Sequence, residues 1–452
     1  MPGTKSTATV ALAVFLCLPS PLAVTAQEAD LVVANAHVVD PGSRTVTRGH
    51  VAIRAGRILG VLEGDVPAAA RVLDVEGRWV IPGLVDTHTH SGANVAPGVD
   101  GARPIVDYFG TEQGSLRMLY AGVVAYVDLF GLEDVILPLR DARRGGDAPG
   151  AELFAAGPCL TAPGGHCTEY GIPTRTIATP EEARSQIAEL AAKSPDVIKL
   201  VYDQSGYMPT LDRATLEAAV EAARAAGIPS VVHVSTLADV EHVAAAGATA
   251  ITHLPRDAAI STDLAAEIAG RGTFYIPTIV TPLDATALAR SAELRNDPLL
   301  VAVAAPAIRD AYREPSAFPA YLQRWLRTGD ETLALYHESI RSLRAAGVRL
   351  VAGSDAGNFG SVLGWSLHRE LERLVEAGLS PWEVLRSATI EPAALLGRDW
   401  GVAPGDEASL LVLDGSPLES ISNTRRIHSI VMKGTVVDRE ALRGSFGGPP
   451  PR

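Results

Sequence analysis

Pro82-Gly83-Leu84-Val85-Asp86-Thr87-His88-Thr89-His90 decides how this chain is read. Pro82-Gly83 punctuates the backbone, and the apolar residues that follow predict a short buried strand. Side chains alternate along a strand, so His88 and His90 share a face, close enough to grip one metal ion, while Thr89 faces away. Imidazole suits zinc and its divalent neighbours, and two His at the mouth of a strand leave room for ligands from other strands. Two His on one strand can equally be hydrogen-bonded surface residues, so the other ligands must come from elsewhere in the chain.

From about residue 82 to 400, strands alternate with helices, the sign of a parallel sheet. One unit recurs: a helix ends in Ala-Gly, a β-branched strand follows and a polar residue closes it. Ala121-Gly122 leads to Asp128, Ala226-Gly227 to His233, Ala246-Gly247 to His253 and Ala346-Gly347 to Asp355. Glycine ends a helix by adopting the left-handed conformation, so the polar residues fall at C-terminal strand ends. Helical stripes accompany them: Leu216, Ala219, Val220 and Ala223; Leu333, Tyr336, Ile340 and Leu343; Leu367, Leu371, Leu374 and Val375. Strands are expected at 84–90, 123–128, 152–157, 197–201, 230–234, 249–253, 273–279 and 349–354. Eight units predict an α/β fold of the (β/α)8 TIM-barrel type, with its chemistry at the C-terminal mouth. No glycine-rich phosphate fingerprint supports the alternative, a doubly wound sheet.

Short strands fill 27–81 and return in 401–440, too few at either end for a core. They predict one small β-sandwich built from both ends, leaving 441–452 as a tail. Residues 281–331 form a long insertion rich in aromatics (Tyr312, Phe318, Tyr321, Trp325). It reads equally as a lid over the mouth or as helices packed on the barrel's flank.

With 452 residues, 47% of them hydrophobic and 20% charged, the chain can bury a large core and is not a disordered one. A net charge of -13 without any basic run argues against nucleic acid and for a small-molecule substrate. Residues 1–26 have the character of a cleavable signal peptide, pointing to the periplasm or secretion. No later stretch is apolar enough for a membrane span. Export would leave Cys159 and Cys167, which flank His166, where a disulfide persists; a disulfide and two free thiols both stay open. Assembly into a homo-oligomer is left open too.

Lys199 alone interrupts the apolar strand Val197-Ile198-Lys199-Leu200-Val201. A buried ammonium must be paired or neutralised, so Lys199 is either an ion-paired structural residue or an amine that has become a carbamate by taking up carbon dioxide. His88, His90, His233, His253 and Asp355 are all metal-ligand types, and all would converge with Lys199 on one mouth. His37, His50, His242, His337, His368 and His428 lie off these strand ends and read as structural or solvated.

These motifs, together with Gly353-Ser354-Asp355-Ala356-Gly357, Glu370-Leu371, Ala377-Gly378-Leu379-Ser380-Pro381, Leu411-Val412-Leu413-Asp414 and Val431-Met432-Lys433-Gly434, resemble the amidohydrolase superfamily. The resemblance is to its imidazolonepropionase-like and Xaa-Pro dipeptidase (barrel-type prolidase) branch. It implies two divalent ions, zinc foremost. His88, His90 and Asp355 would hold the first and His233 and His253 the second, bridged by carboxylated Lys199 and a hydroxide, with Asp355 as proton shuttle. The implied activity is hydrolysis of an amide (C–N) bond in a dipeptide or N-acyl amino acid. His166 in Gly164-Gly165-His166 could touch substrate, and Arg256 could bind its carboxylate. The alternatives are a mononuclear cyclic amidohydrolase, a lactone or ester hydrolase, and a non-catalytic scaffold. Deamination fits less well, because Thr236 stands where mononuclear deaminases of the superfamily carry Glu.

Overall fold

The computed structural model of the protein describes residues 29–98, 103–145 and 148–447, so the expected leader over 1–26 lies outside the described residues. Its centre is a parallel barrel. The strands are Leu84–Thr89, Val123–Asp128, Glu152–Ala155 continued by Cys159–Thr161, Ile198–Val201, Ser230–His233, Ala250–Thr252, Phe274–Ile276 and Arg349–Leu350. Neighbours pair in parallel from the first strand to the eighth. The eighth closes onto the first: Thr87 N donates to Ala352 O at 3.1 Å and His90 N to Ala356 O at 2.7 Å.

Two strands differ from their expected form: the eighth, expected over 349–354, is the two-residue Arg349–Leu350, and the third is divided. The single strand expected at 152–157 is broken around Gly157-Pro158, where proline offers no ladder N–H. Its first half pairs with strand two and its second half with strand four. The break turns the loop that carries His166 over the mouth.

The helices lie outside the strands for the reason their stripes suggest: Leu216, Ala219, Val220 and Ala223 are buried, as are Leu367, Leu371 and Leu374. Gly247, at φ 76°, ends helix Leu237–Ala246 and donates its N–H back to that helix's carbonyls.

Both chain ends join one eight-stranded sheet. Ala29–Asp40 pairs with Thr45–Arg54, Ala69–Asp74 and Trp79–Pro82, and Leu410–Leu413 lies between Trp79–Pro82 and Ile427–Met432. Alternation buries both faces, with Leu31 and Val33 in one apolar cluster and Val32 and Ala34 in another. Trp79–Pro82 runs straight into barrel strand one, and Gly83 N donates to Ser409 O at 2.8 Å, so this sheet seats the strand that carries His88. The stretch expected as a tail from 441 instead begins inside helix Arg439–Gly447, whose Leu442 and Phe446 are buried, Phe446 against Tyr120.

The insertion packs as helices on an apolar cluster, and its last helix also reaches residues beside the mouth. Helices Val280–Arg290, Ala292–Arg295, Pro298–Val303 and Pro306–Asp310 and the long Ala320–Ala345 close an apolar cluster of their own that includes Leu300, Ile308, Tyr312, Phe318 and Trp365. The Tyr312 hydroxyl accepts from Gly360 N at 2.7 Å, fastening that cluster to the loop after strand eight. Tyr321 meets Phe359 at 5.5 Å and Trp325 lies under Arg256, so the last helix also edges the mouth. Among the described residues no helix is long and apolar enough to cross a membrane.

Candidate active site

Every expected ligand but Lys199 falls at or just past the C-terminal end of a barrel strand; Lys199 is the second residue of strand four. His88 lies in strand one with His90 just past it, Lys199 in strand four and His233 at the end of strand five; His253 and Asp355 follow strands six and eight. The donor atoms of His88, His253 and Asp355 lie within 4.8 Å of one another, and all three residues are buried. Asp355 Oδ1 is 3.3 Å from His88 Nε2 and 2.9 Å from His90 Nε2. His233 adjoins His253, ring centroids 4.5 Å apart. The structure therefore groups His253 with His88 and Asp355 most tightly, across the division between two ligand sets that the sequence implied.

The donor set fits a divalent cation. Asp355 Oδ1 is buried without a hydrogen-bond partner despite the imidazoles around it, and so is Lys199 Nζ. A buried carboxylate oxygen and a buried amine in that state mark a site built for something else to bind. Burial first, then neighbouring positive groups, holds His88, His233 and His253 well below the usual histidine range, so the rings are neutral, as ligands must be. Burial lowers the Lys199 amine to about 7, offset by the nearby Asp355 charge. His253, Thr278 and Asp355 all hold positive φ (73°, 50° and 51°). Such conformations cost about 1–3 kcal/mol each and persist where surrounding structure enforces them.

Residues 79–437 match the amidohydrolase family. The chain belongs to this family. It is an enzyme, a metal-dependent hydrolase, and its barrel is shared with solved relatives. It is similar to a Xaa-Pro dipeptidase with bound methionine (TM-score 0.70, 20% identity, 90% of this chain and 99% of that one). It is likewise similar to molinate hydrolase (0.72, 19%, 94% and 98%) and to A. niger ochratoxinase (0.67, 18%, 90% and 96%). Curated relatives match locally. The 5'-deoxyadenosine deaminase of Methanococcoides burtonii is 30% identical over 128 residues, 24% of this chain and 30% of that protein. An adenine deaminase of Nitratidesulfovibrio vulgaris is 39% identical over 77 residues, 17% of this chain and 13% of its own. The chain thus matches less than a third of the length of these two relatives.

Around its ligands this amidohydrolase carries supporting groups that its sequence did not reveal. His88 Nδ1 lies 2.7 Å from Thr252 Oγ1, and His253 Nδ1 lies 2.7 Å from Thr278 Oγ1. The Thr278 hydroxyl donates to Pro277 O at 2.8 Å, so it accepts from His253 Nδ1–H and leaves the Nε2 lone pair for the metal. Glu370 accepts from the N–H groups of Ile279 and Val280 at 3.0 Å each, pinning the turn just after Thr278; burial pushes its carboxyl up to about 8. Asp86 joins strands one and eight, accepting from His88 N at 3.2 Å and from Ser354 N at 2.9 Å, and burial raises it to about 7. Asp128 Oδ2 accepts from Ser91 N and Oγ at 2.8 and 2.6 Å, fixing the turn after His90. Asp203 Oδ2 accepts from Ser235 Oγ at 2.9 Å and lies 3.9 Å from His233 Nε2. The glycine of Gly357 is required here, because a Cβ would fall 2.2 Å from His90 O.

The rings form a closed circuit. Successive centroid distances are 6.5 Å for His90–Phe130, 6.1 Å for Phe130–Tyr170, 5.7 Å for Tyr170–His166 and 4.9 Å for His166–His233. His233–His253, His253–His88 and His88–His90 complete it at 4.5, 4.8 and 5.5 Å. His166 therefore stands at the mouth, its Nδ1 2.6 Å from Glu169 Oε1. Cys159 and Cys167 are joined in a disulfide that closes its loop. Arg256 is exposed, lies over Trp325 (5.5 Å to the ring centroid) and contacts the Tyr336 hydroxyl; among the described residues no carboxylate forms an ion pair with it. The histidines set aside in the sequence do sit elsewhere: His368 donates from Nε2 to Ala121 O at 2.8 Å, and His37 stacks on Trp79.

Proposed function

We propose that this amidohydrolase cleaves the C–N bond of a dipeptide or N-acyl amino acid, in the manner of the Xaa-Pro dipeptidase branch. The reading is carried by one observation: His88, His253 and Asp355 converge within 4.8 Å beside a Lys199 amine that has no hydrogen-bond partner. His88, His90 and Asp355 would hold one divalent ion and His233 and His253 another, with zinc best suited to these donors. An amine lowered to about 7 is about half in its nucleophilic, unprotonated form near neutral pH. Its nitrogen would bond to the carbon of carbon dioxide and release a proton to solvent, giving Lys199 the anionic oxygens that two cations would share. When bound, the ions supply a water that deprotonates near neutral pH and polarise the substrate carbonyl.

The chain's own residues do the rest. Asp355 Oδ1, aimed at the centre of the site, takes a proton from the attacking water and gives it to the departing nitrogen as the C–O bond forms and the C–N bond breaks. Arg256 receives the substrate carboxylate, and His166, steadied by Glu169, contacts substrate from the loop after strand three. Thr236 argues against deamination: its side chain accepts from Asp239 N to cap helix Leu237–Ala246, a structural task that leaves no acid or base there. The disulfide suits an oxidising compartment, in keeping with export by a leader at 1–26. A one-metal site is the second reading, favoured by the way His253 groups with His88 and Asp355.

The test is hydrolysis by zinc-loaded protein of three panels: dipeptides, N-acyl amino acids and lactones. Release of free amine that disappears in Asp355→Asn is the expected result. Lactone opening with no amine release from either other panel would refute the reading.

A further inference from the structure

Strands two and six lie opposite each other across an eight-stranded barrel, and the loops that follow them differ in chemistry. Phe130 follows strand two, and Arg256 follows strand six. Phe130 is half-buried, packed on the Cys159–Cys167 disulfide and Val201. Against it, at 6.1 Å, stands Tyr170, on the loop that the disulfide closes. Tyr170 is 55% exposed although Phe130 and His166 flank it and burial raises its hydroxyl above the usual tyrosine range, so part of it faces solvent at the edge of the ligand cluster. On the strand-eight side Phe359 meets Tyr321 at 5.5 Å. The cation is on the other side: Arg256, with no carboxylate partner among the described residues, rests on Trp325.

We propose that Phe130 and Tyr170 form an apolar subsite for a flat or bulky hydrophobic group on the acyl side of the scissile bond, opposite the cation that takes the carboxylate. This rests on the proposed C–N hydrolysis and narrows it. The geometry lays the substrate across the mouth, its carbonyl over Asp355, its carboxylate at Arg256 and its acyl substituent against the two rings. Substrates of this class are N-arylacyl amino acids and dipeptides with an aromatic or large aliphatic N-terminal residue. The contact is selective because it joins ring to ring: covering the Tyr170 face removes apolar surface from water and adds an aromatic pair. A small acyl group such as acetyl leaves that face wet and gains neither. An anionic acyl group meets two rings with the charges of Glu169 and Asp355 beside them and is rejected.

The experiment has two readouts on zinc-loaded protein. In binding by calorimetry, phenylacetate, the acyl product of such a substrate, is compared with acetate; in turnover, N-phenylacetyl-leucine is compared with N-acetyl-leucine. Phenylacetate is expected to bind at least about tenfold more tightly than acetate, and the preference in kcat/KM to run the same way. Phe130→Ala and Tyr170→Ala should each shrink both preferences, and Tyr170→Phe, which keeps the ring, should preserve them. Equal binding of phenylacetate and acetate, or a preference untouched by Tyr170→Ala, overturns the subsite. A strong preference in binding without hydrolysis of any C–N substrate supports the subsite and overturns the proposed reaction, so the two failures are distinguishable.

Discussion

The mouth of this barrel has two sides built on different principles. On the side of strands one, six and eight, His88, His253 and Asp355 stand on backbone that is locked from behind: Thr252 and Thr278 hold the rings, Asp86 bonds strand one to strand eight, and Glu370 clamps the turn after Thr278. On the side of strands two to four, Phe130, His166 and Tyr170 stand on loops, held by one another and by a disulfide, and the Lys199 amine has no partner. The first side is over-determined before any ligand arrives. The second is finished by what binds. We read the first side, with Arg256 beside it, as holding the metal-facing donors and the substrate carboxylate, and the second as completing the site through Lys199 and as choosing the acyl group.

The largest effect should come from the locked side. Asp355→Asn keeps the shape but removes the proposed proton carrier, so kcat should fall by about 10²–10⁴-fold. On the other side, Lys199→Met should abolish the carbon dioxide adduct and reduce bound metal; unchanged metal content would reassign Lys199 to a structural role.

Next is the stability of the scaffold beneath the locked side. His368, on helix Trp365–Glu376, is buried and neutral, its pKa lowered by burial to about 4. A base with a depressed folded pKa stabilises the fold above its unfolded value, about 6.5, and loses that contribution as pH falls through the folded value. Denaturation between pH 7 and pH 4 should show a loss reaching roughly 3 kcal/mol below pH 4, and His368→Asn should flatten that part of the profile.

Smaller effects separate the supporting groups. Thr278→Val and Thr252→Val remove the hydroxyls that set the imidazoles, and each should weaken metal binding about 10–100-fold while leaving the fold intact. Reducing the Cys159–Cys167 disulfide should loosen only the loop side, raising KM a few-fold with kcat nearly unchanged, since no metal-facing donor stands on that loop. A collapse of kcat on reduction would erase the distinction between the two sides.

Much of the locked side was legible in the sequence because its residues are chemically conspicuous. Ligand-type residues at the ends of β-branched strands mark their own positions, with Ala-Gly ahead of the strands leading to His233, His253 and Asp355 and Pro82-Gly83 ahead of that leading to His88. The groups behind them were not legible. Thr252, Thr278 and Ser235 look like any hydroxyl residue at a strand end, and only the fold shows which imidazole each one meets. Asp86 sat within the motif and Asp128 at an expected strand end, but their partners, Ser354 and Ser91, are fixed by closure of the barrel. The break in strand three escaped because a proline between two apolar pairs reads as a strand end, while pairing on both sides carries the strand past it. The insertion stayed ambiguous because one aromatic cluster serves both as its core and as its grip on the strand-eight loop.

The most direct test of the two-sided account is the metal content of protein purified without chelators, paired with intact mass under non-denaturing conditions. The account predicts two divalent ions per chain and the mass of one added carbon dioxide, with the adduct lost and bound metal reduced in Lys199→Met. One ion with no adduct, held by the locked side alone, would contradict it and leave a mononuclear amidohydrolase.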